Sequence, residues 1–233
     1  MKRFYKTVDI APGEQGIEVH LDGRPVRTPA KRMLRLPTAG LARAVAEEWS
    51  AQEDEIDARS MHLTRLANSA IDRVADHRAA VVGEVAGYAG TDLVCYRADE
   101  PEALAGRQRE AWDPLVSWVD IRHGAALEIT TGILPVAQPD EALARLHEAV
   151  AAYDDFALAG LHMVASATGS LVLALATAEG EIDAEEAWRR SLVDETFQIE
   201  EWGEDEEATR RRAALREEIG AAAHFLALCR TAA

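Results

Sequence analysis

The sequence predicts an α+β protein in which a small N-terminal antiparallel β-sheet with a packed helix precedes a larger all-helical domain. Over residues 4–36, short runs of β-branched and aromatic residues are separated by glycine and proline, as in β-hairpins. Beyond about residue 76, apolar residues recur at the three- and four-residue spacing of amphipathic helices. We therefore expect two domains, with residues 1–76 forming the N-terminal β-rich domain and residues 77–233 the C-terminal helical domain.

The first domain contains four predicted strands. Asp22-Gly23 is a strong two-residue hairpin signal that leads into the third strand, and Pro25 places that strand at an edge of the sheet or ends it. Pro12-Gly13 is expected to separate the first two strands. The predicted strands are Tyr5–Ile10, Ile17–Leu21, Arg24–Thr28 and Met33–Leu36.

A helix is predicted after the strands, with Thr38 as its N-cap and an apolar stripe of Leu41, Val45 and Trp49. Trp49 has two interpretations: it packs in the core, as a stripe tryptophan usually does, or it contacts a partner. The charged hairpin edge that contains Arg24 also allows two interpretations, a partner contact or a solvated edge that its charge protects.

Helices are predicted over almost the whole of the second domain. Asp113 and Pro114 are typical of an N-cap followed by a first helical residue, so they predict a break between two helices. Residues 127–136 are the exception, because their composition favours extended structure. The predicted helices cover residues 78–90, 101–112, 114–123, 139–153, 156–178, 184–202 and 205–230.

Residues 156–178 carry no formal charge and are long enough to cross a bilayer. They also contain histidine, serine and threonine, and the residues on both flanks are acidic rather than basic, which argues against a membrane span. A helix that is apolar on every side is also typical of a protein interior. We therefore interpret this segment as the buried central helix of a bundle.

The acidic segment from residue 192 to residue 208 is the most informative part of the chain. Its periodicity predicts one helical face that comprises Trp188, Leu192, Glu195, Ile199 and Trp202. An ionised glutamate on an otherwise apolar face needs a partner, either a cation of the same protein or a group on another molecule.

An internal partner for Glu195 follows from the next helix. Gly203 is typical of a residue just beyond a helix C-terminus, and Asp205 of the following N-cap. An antiparallel hairpin that turns there places Glu195 opposite Arg212, as a structural ion pair. The alternative is that Glu195 contacts a partner, together with the other partner-binding candidates Asp194, Gln198, Glu201, Trp202 and Trp49.

The segment LVDETFQIEEWGED resembles the C-terminal signature of the assembly chaperones that hold the alpha subunit of the F-type ATP synthase. Further blocks occur in the family's order along nearly the whole chain, so the resemblance is specific. They are RFYK at residues 3–6, LDGRPVRTPA at 21–30, LPTAGLARAVAEEWSAQ at 36–52, IDARSMHLTRLANSAID at 56–72, TDLVCYRA at 91–98 and WDPLVSW at 112–118.

The resemblance implies a bacterial chaperone whose protein client is the unassembled ATP synthase alpha subunit, and it implies the same pairing of a β-rich and a helical domain. Such a protein masks its client's subunit contacts, which would otherwise aggregate, and it needs no nucleotide. The missing phosphate-binding loop motifs agree with this. The alternative is an enzyme that acts on a small cationic substrate in an acidic cleft between domains.

Composition narrows the classes of partner. The chain has 41 acidic and 25 basic residues and a net charge of −16, which disfavours nucleic acid and anionic membranes. Cys95 and Cys229 are isolated, so we expect a reduced compartment, no metal site and no cofactor. The start of the chain lacks the apolar core of a secretory signal, and we expect a cytoplasmic protein without membrane insertion or catalytic residues.

Overall fold

The computed structural model describes residues 1–132, 134–203 and 205–230, and it divides the chain into two compact units. The first unit comprises Met1–Arg78, Asp154–Gly160 and the segment that starts at His224. The second comprises Ala79–Tyr153 and Leu161–Ala223. The first contains a small antiparallel sheet and the second is mainly helical, so the predicted α+β fold class is confirmed. The domain boundary at residues 76 and 77 stays a prediction.

The sheet of the first unit consists of β1 (Val8–Gly13), β2 (Gly16–Leu21), β3 (Arg24–Pro25) and β4 (Arg35–Leu36). Strands β1, β3 and β4 all pair antiparallel with β2. Asp22 and Gly23 connect β2 to β3 with φ values of 48° and 75°, which are the left-handed angles of a tight hairpin turn. The hairpin predicted from these two residues is confirmed.

Strand boundaries differ from the prediction. Pro12 and Gly13, which were expected to separate the first two strands, lie inside β1, and Gly13 pairs with Gly16 across the turn. Proline fits there because β1 is an edge strand, where a missing N–H disrupts no ladder. The third strand ends at Pro25, and beyond it only a bridge between Arg27 and Met33 continues the pairing.

Helix α1 (Ala39–Ser50) begins as predicted. The Oγ1 atom of Thr38 accepts a hydrogen bond of 3.1 Å from the backbone N–H of Leu41, and it donates to the carbonyl oxygen of Leu228 at 2.6 Å. Leu41 and Val45 are completely buried against the sheet. The cap therefore fixes both the start of α1 and a contact with the C-terminal helix inside the first unit.

The next helical region starts earlier than predicted, before residue 78. Helix α2 (His62–Ser69) continues through a π-helical turn, Ala70–Val74, into α3 (Ala75–Gly87). Within the π-helical turn, the carboxylate of Asp72 accepts hydrogen bonds from the Thr28 hydroxyl at 2.7 Å and from the Ala30 N–H at 3.0 Å. The turn thereby holds the loop that joins β3 to β4.

The rest of the chain is mainly helical, as predicted, although some helix boundaries differ. Strand β5 (Tyr96–Arg97) pairs parallel with β6 (Thr130–Thr131). Strand β6 lies inside residues 127–136, where extended structure was expected; Ile133 lies outside the described residues. The helices are α4 (Glu102–His123), α5 (Asp140–Ala151), α6 (Asp155–Thr168), α7 (Leu171–Glu179), α8 (Ala184–Ser191), α9 (Val193–Trp202) and α10 (Glu206–Cys229).

The predicted break at Asp113-Pro114 was wrong, because α4 runs through Pro114. The Asp113 carboxylate binds the Arg97 guanidinium at 2.9 Å instead of capping a helix. Trp112 and Leu115, on either side of Asp113-Pro114, are both buried. The free energy gained by packing on both sides of Pro114 therefore exceeds the free energy lost with the backbone hydrogen bond that a proline cannot donate.

The single helix predicted over residues 156–178 is two helices, α6 and α7. Gly169 adopts a left-handed φ of 67°, and the Ser170 hydroxyl accepts a 3.0 Å hydrogen bond from the Leu173 N–H as the N-cap of α7. Every residue of α7 from Leu171 to Ala178 is buried, as expected for a central helix. Within the described ranges, no helix is long and apolar enough to cross a membrane.

Candidate functional site

The single helix predicted over residues 184–202 is two helices, α8 and α9, with a bend between them. Leu192, with φ −118° and ψ 24°, interrupts the helix between α8 and α9. Leu192 is buried, whereas Trp188 and Ile199 are half-buried and Trp202 is 80% exposed. The predicted single apolar face is therefore wrong, because the bend at Leu192 directs the end of α9 toward solvent.

The hairpin between α9 and α10 is built as predicted. Gly203 follows α9 with φ 87°, and its N–H donates to the Ile199 carbonyl at 2.8 Å. The Asp205 carboxylate accepts a 2.7 Å hydrogen bond from the Ala208 N–H and so caps α10. Two local signals, a glycine and a cap, thus place α9 beside the first turns of α10.

The ion pair of Glu195 is displaced by one residue from the prediction. Its carboxylate binds the Arg211 guanidinium at 2.5 Å. Arg212 lies over the Trp188 ring, with its guanidinium carbon 5.6 Å from the ring centre, and its Nη2 is 3.4 Å from the Thr196 hydroxyl. Both contacts are consistent with the expected antiparallel hairpin. The ion-pair partner of Glu195 is nevertheless Arg211 and not Arg212, and the sequence did not predict Arg211.

The surface between α9 and α10 is concave and polar. It encloses about 490 Å³ and is lined on the α9 side by Asp194, Glu195, Gln198, Ile199 and Trp202. Gly203, Asp205, Ala208 and Arg211 complete the lining. Four of the predicted partner-binding residues therefore come together, and we call this concavity the acidic hairpin surface.

Asp194 is held from inside the protein. Its carboxylate accepts a 2.6 Å hydrogen bond from the side-chain amide of Gln108, which lies on α4 and is 1% exposed. The carbonyl oxygen of the same amide accepts from the Ala98 N–H at 2.7 Å. Asp194, one of the partner-binding candidates, is half-buried, and its side chain anchors α9 to α4.

The end of α9 is the exposed part. Gln198 and Glu201 are exposed, and Trp202 leaves four-fifths of its surface in solvent. Glu200 is paired with Arg107 at 2.6 Å, and the Arg107 guanidinium also lies 5.2 Å from the Phe197 ring centre. This second anchor to α4 leaves the opposite side of α9 uncovered.

Trp49, the remaining candidate, belongs to the other unit. It is half-buried, its ring lies 5.8 Å from Tyr5 in an edge-on arrangement, and its carbonyl oxygen accepts a 2.6 Å hydrogen bond from the Tyr5 hydroxyl. Trp49 lines a separate cavity in the N-terminal unit.

No metal-ligating cluster was found among the residues that the structure describes. Two histidines of the second unit each bind one carboxylate: His123 binds Glu179 at 3.0 Å, and His162 binds Glu84 at 3.1 Å. Neither histidine lines the acidic hairpin surface or the cavity beside Trp49. Among the described residues, no histidine therefore meets carboxylates at these two places, an arrangement that would favour the enzyme alternative.

Comparisons with known proteins agree with this geometry. The model of the family described as ATP12 chaperone protein matches residues 2–120. Atp12 from Paracoccus denitrificans has a solved structure that is 47% identical, with a TM-score of 0.95 and 98% coverage of both chains. The Atu1473 protein from Agrobacterium tumefaciens is 42% identical, with a TM-score of 0.95, over 98% of this chain and 86% of that one.

A eukaryotic relative extends the comparison. The mitochondrial protein atp12 of Schizosaccharomyces pombe is 22% identical over 219 residues, which cover 89% of this chain and 75% of the relative. The family model spans just over half of the chain, and the bacterial structures cover nearly all of it. The chain therefore belongs to the ATP12 chaperone family.

Proposed function

We propose that this protein is an ATP-independent assembly chaperone, which binds the unassembled alpha subunit of a bacterial F-type ATP synthase in the cytoplasm. The chaperone masks the surface through which alpha later contacts its neighbouring subunits. Membership of the ATP12 chaperone family supports the general class. The sequence blocks that resemble the alpha-subunit chaperones support the identity of the client.

The observation that carries the proposal is the exposure of Trp202 beside carboxylates. A tryptophan that leaves 80% of its surface in water is unusual for a globular protein. Tryptophan is also among the residues that contribute most to binding at protein interfaces. Its position at the end of a helix anchored by Asp194 and Glu200 makes the contact surface preorganised.

The polar character of the acidic hairpin surface suits a temporary complex. A chaperone must release its client when the next subunit arrives, and exchangeable interfaces are more polar than permanent ones. Gln198 and Trp202, which line this surface, provide the direct contacts in this proposal, together with the exposed Glu201 beside them on α9. Glu195 adds negative charge that Arg211 partly neutralises, and Asp194 acts by holding the helix in place.

Light scattering of isolated alpha subunit, with and without an equimolar amount of the chaperone and in the absence of ATP, tests the proposal. We expect the native protein to suppress aggregation and Trp202→Ala to suppress it much less. Ile121→Ala is the matched control, since Ile121 is an 86% exposed apolar residue on α4. Unchanged scattering with the native protein, together with no complex on gel filtration, would exclude this function.

Two charge-reversal variants test whether the client binds at the end of α9. Glu201→Lys should weaken binding of the alpha subunit, whereas Asp120→Lys, which makes the same charge change at an exposed position of α4, should leave it unaltered. If both variants bind with native affinity while aggregation is still suppressed, the client contacts another surface.

A further inference from the structure

The charge of the chain is strongly segregated along its length. Residues 1–36 contain eight basic and four acidic residues, including all three lysines, whereas the whole chain has a net charge of −16. Residues 1–36 therefore form a cationic region in an acidic protein, and most of its basic residues lie outside the strands. Such a region attracts anionic partners over distances of about 10 Å at moderate salt.

This cationic region contains a cavity of about 650 Å³, within the range of protein ligand sites. Tyr5, Leu21, Val26 and Trp49 contribute to its apolar wall. Arg24 and Arg27 also line it, and we call the cavity the N-terminal groove.

One aromatic residue at the groove, Phe4, is exposed although the chain is held in place there. Phe4 is 65% exposed, and its ring lies 5.3 Å from Tyr5, which in turn contacts Trp49. The backbone on either side is fixed, because the Arg3 N–H donates to Asp54 at 2.9 Å and the Ile56 N–H donates to Met1 at 2.7 Å. The exposure of Phe4 is therefore a property of an ordered surface, and such apolar surface marks interaction sites.

Among the described residues, the lining of the groove contains two arginines and one carboxylate. Asp22 is its one lining carboxylate among the described residues, and the Oδ1 atom of Asp22 already accepts hydrogen bonds from Lys6 N–H and from the N–H and hydroxyl of Thr7. These bonds lower the pKa of Asp22 below its usual value. Arg24 is exposed and forms no side-chain hydrogen bond or ion pair within the part of the chain that the structure describes.

We infer that the N-terminal groove binds an acidic, apolar segment of the client polypeptide. The apolar wall accepts leucine or aromatic side chains, and Arg24 and Arg27 bind flanking carboxylates. The inference rests on the proposed chaperone function and extends it, because it gives the client a second contact whose charge preference is opposite to that of the acidic hairpin surface.

Fluorescence anisotropy with a short fluorescein-labelled peptide that alternates leucine or phenylalanine with aspartate tests the groove directly. We expect saturable binding that weakens as salt rises, and no binding of the same peptide with lysine in place of aspartate. Arg24→Glu and Arg27→Glu should each weaken binding roughly five- to tenfold. Arg43→Glu is the matched control, because Arg43 is exposed on α1 and does not line the groove. Thermal unfolding verifies that each variant is folded.

The outcomes separate this inference from the proposed function. Equal binding of the acidic and basic peptides, or native affinity in both groove variants, overturns the groove inference even if aggregation of the alpha subunit is suppressed. Sedimentation that shows a dimer dissociated by Arg24→Glu also overturns it, since a second copy then occupies the groove. If the acidic peptide binds but aggregation of the alpha subunit is not suppressed, the chaperone function is rejected. The groove is then a site for acidic, apolar peptides whose source is not the alpha subunit.

Discussion

The side-chain amide of Gln108 donates a 2.6 Å hydrogen bond to the Asp194 carboxylate, and this contact separates Asp194 from the other acidic residues of α9. Gln108 is buried on α4, so Asp194 satisfies a polar group that has no access to water. Glu201, seven residues later on the same helix, is exposed. Two carboxylates that look equivalent in the sequence therefore have different roles, one structural and one available for binding.

Removal of the Asp194 carboxylate should destabilise the protein. We expect Asp194→Ala to lower the free energy of unfolding by about 1–3 kcal/mol, because it leaves the buried Gln108 amide without an acceptor. Glu201→Ala should change it by no more than about 0.5 kcal/mol. Urea unfolding followed by circular dichroism measures both, and equal stabilities would show that the Gln108 contact contributes nothing.

The ion pair of Glu195 should contribute little to stability. The Arg211 side chain is 70% exposed, and exposed pairs contribute about 0–1 kcal/mol. A double-mutant cycle of Glu195→Ala with Arg211→Ala should give a coupling energy of about 0.5 kcal/mol. The same cycle with Arg212→Ala serves as the comparison and should give a smaller coupling. A larger coupling to Arg212 would restore the pairing predicted from the sequence.

Asp92 should make stability depend on pH. It is completely buried, and its carboxylate accepts hydrogen bonds from Val94 N–H at 3.2 Å and Val172 N–H at 3.0 Å. Burial raises the pKa of Asp92 from 3.8 to about 6, although these hydrogen bonds oppose the shift. The folded state therefore binds this proton more tightly than the unfolded state, so the contribution of Asp92 to stability falls as pH rises from about 4 to about 6 and is constant above.

Asp92→Asn provides the reference for this titration. The stability of the native protein relative to Asp92→Asn should fall by about 1 kcal/mol between pH 5 and pH 7. The comparison with the variant removes the contribution of the other carboxylates, which titrate in both proteins. Urea unfolding of the two proteins at several pH values measures the difference, and parallel pH profiles would contradict the raised pKa.

Gly160 should be sensitive to substitution because of close helix packing in the first unit. A Cβ atom at this position would lie 2.8 Å from Leu226 Cγ and 3.3 Å from Phe225 Cδ1. Gly160→Ala should therefore destabilise the protein by about 1–3 kcal/mol. Gly220→Ala is the matched control on α10, where an added Cβ meets no atom within 4 Å, and it should stabilise by about 0.5–1 kcal/mol. Thermal unfolding distinguishes the two, and equal melting temperatures would show that the helices adjust.

The sequence predicted those features whose cause is local. The hairpin at Asp22-Gly23 and the N-cap at Thr38 depend on backbone angles or on one side-chain hydrogen bond, and both were found. The end of α9 at Gly203 and the cap of α10 at Asp205 are of the same kind. The break at Gly169 had a local signal too, a glycine followed by a serine cap, but the apolar composition of the segment obscured it.

The remaining features depend on packing. Pro114 stays inside α4 because Trp112 and Leu115 are buried around it, and no local rule indicates this. The bend at Leu192 carries neither glycine nor proline, so the exposure of Trp202 could not be deduced from periodicity. At the acidic hairpin surface the residue types were therefore predictable, whereas the role of Asp194 and the choice of Arg211 required the positions of α4 and α10.

The π-helical turn at Ala70–Val74 restricts where relatives of this chain can gain or lose residues. A deletion between residues 62 and 71 would turn Asp72 by about 100° about the helix axis relative to the start of α2, away from the Thr28 hydroxyl and the Ala30 N–H that it binds. Asp72 is bound to the loop that joins β3 to β4, so the turn cannot shift to absorb the loss. Relatives should therefore accumulate insertions and deletions outside residues 62–74, and this segment offers a fixed reference for aligning divergent members of the family.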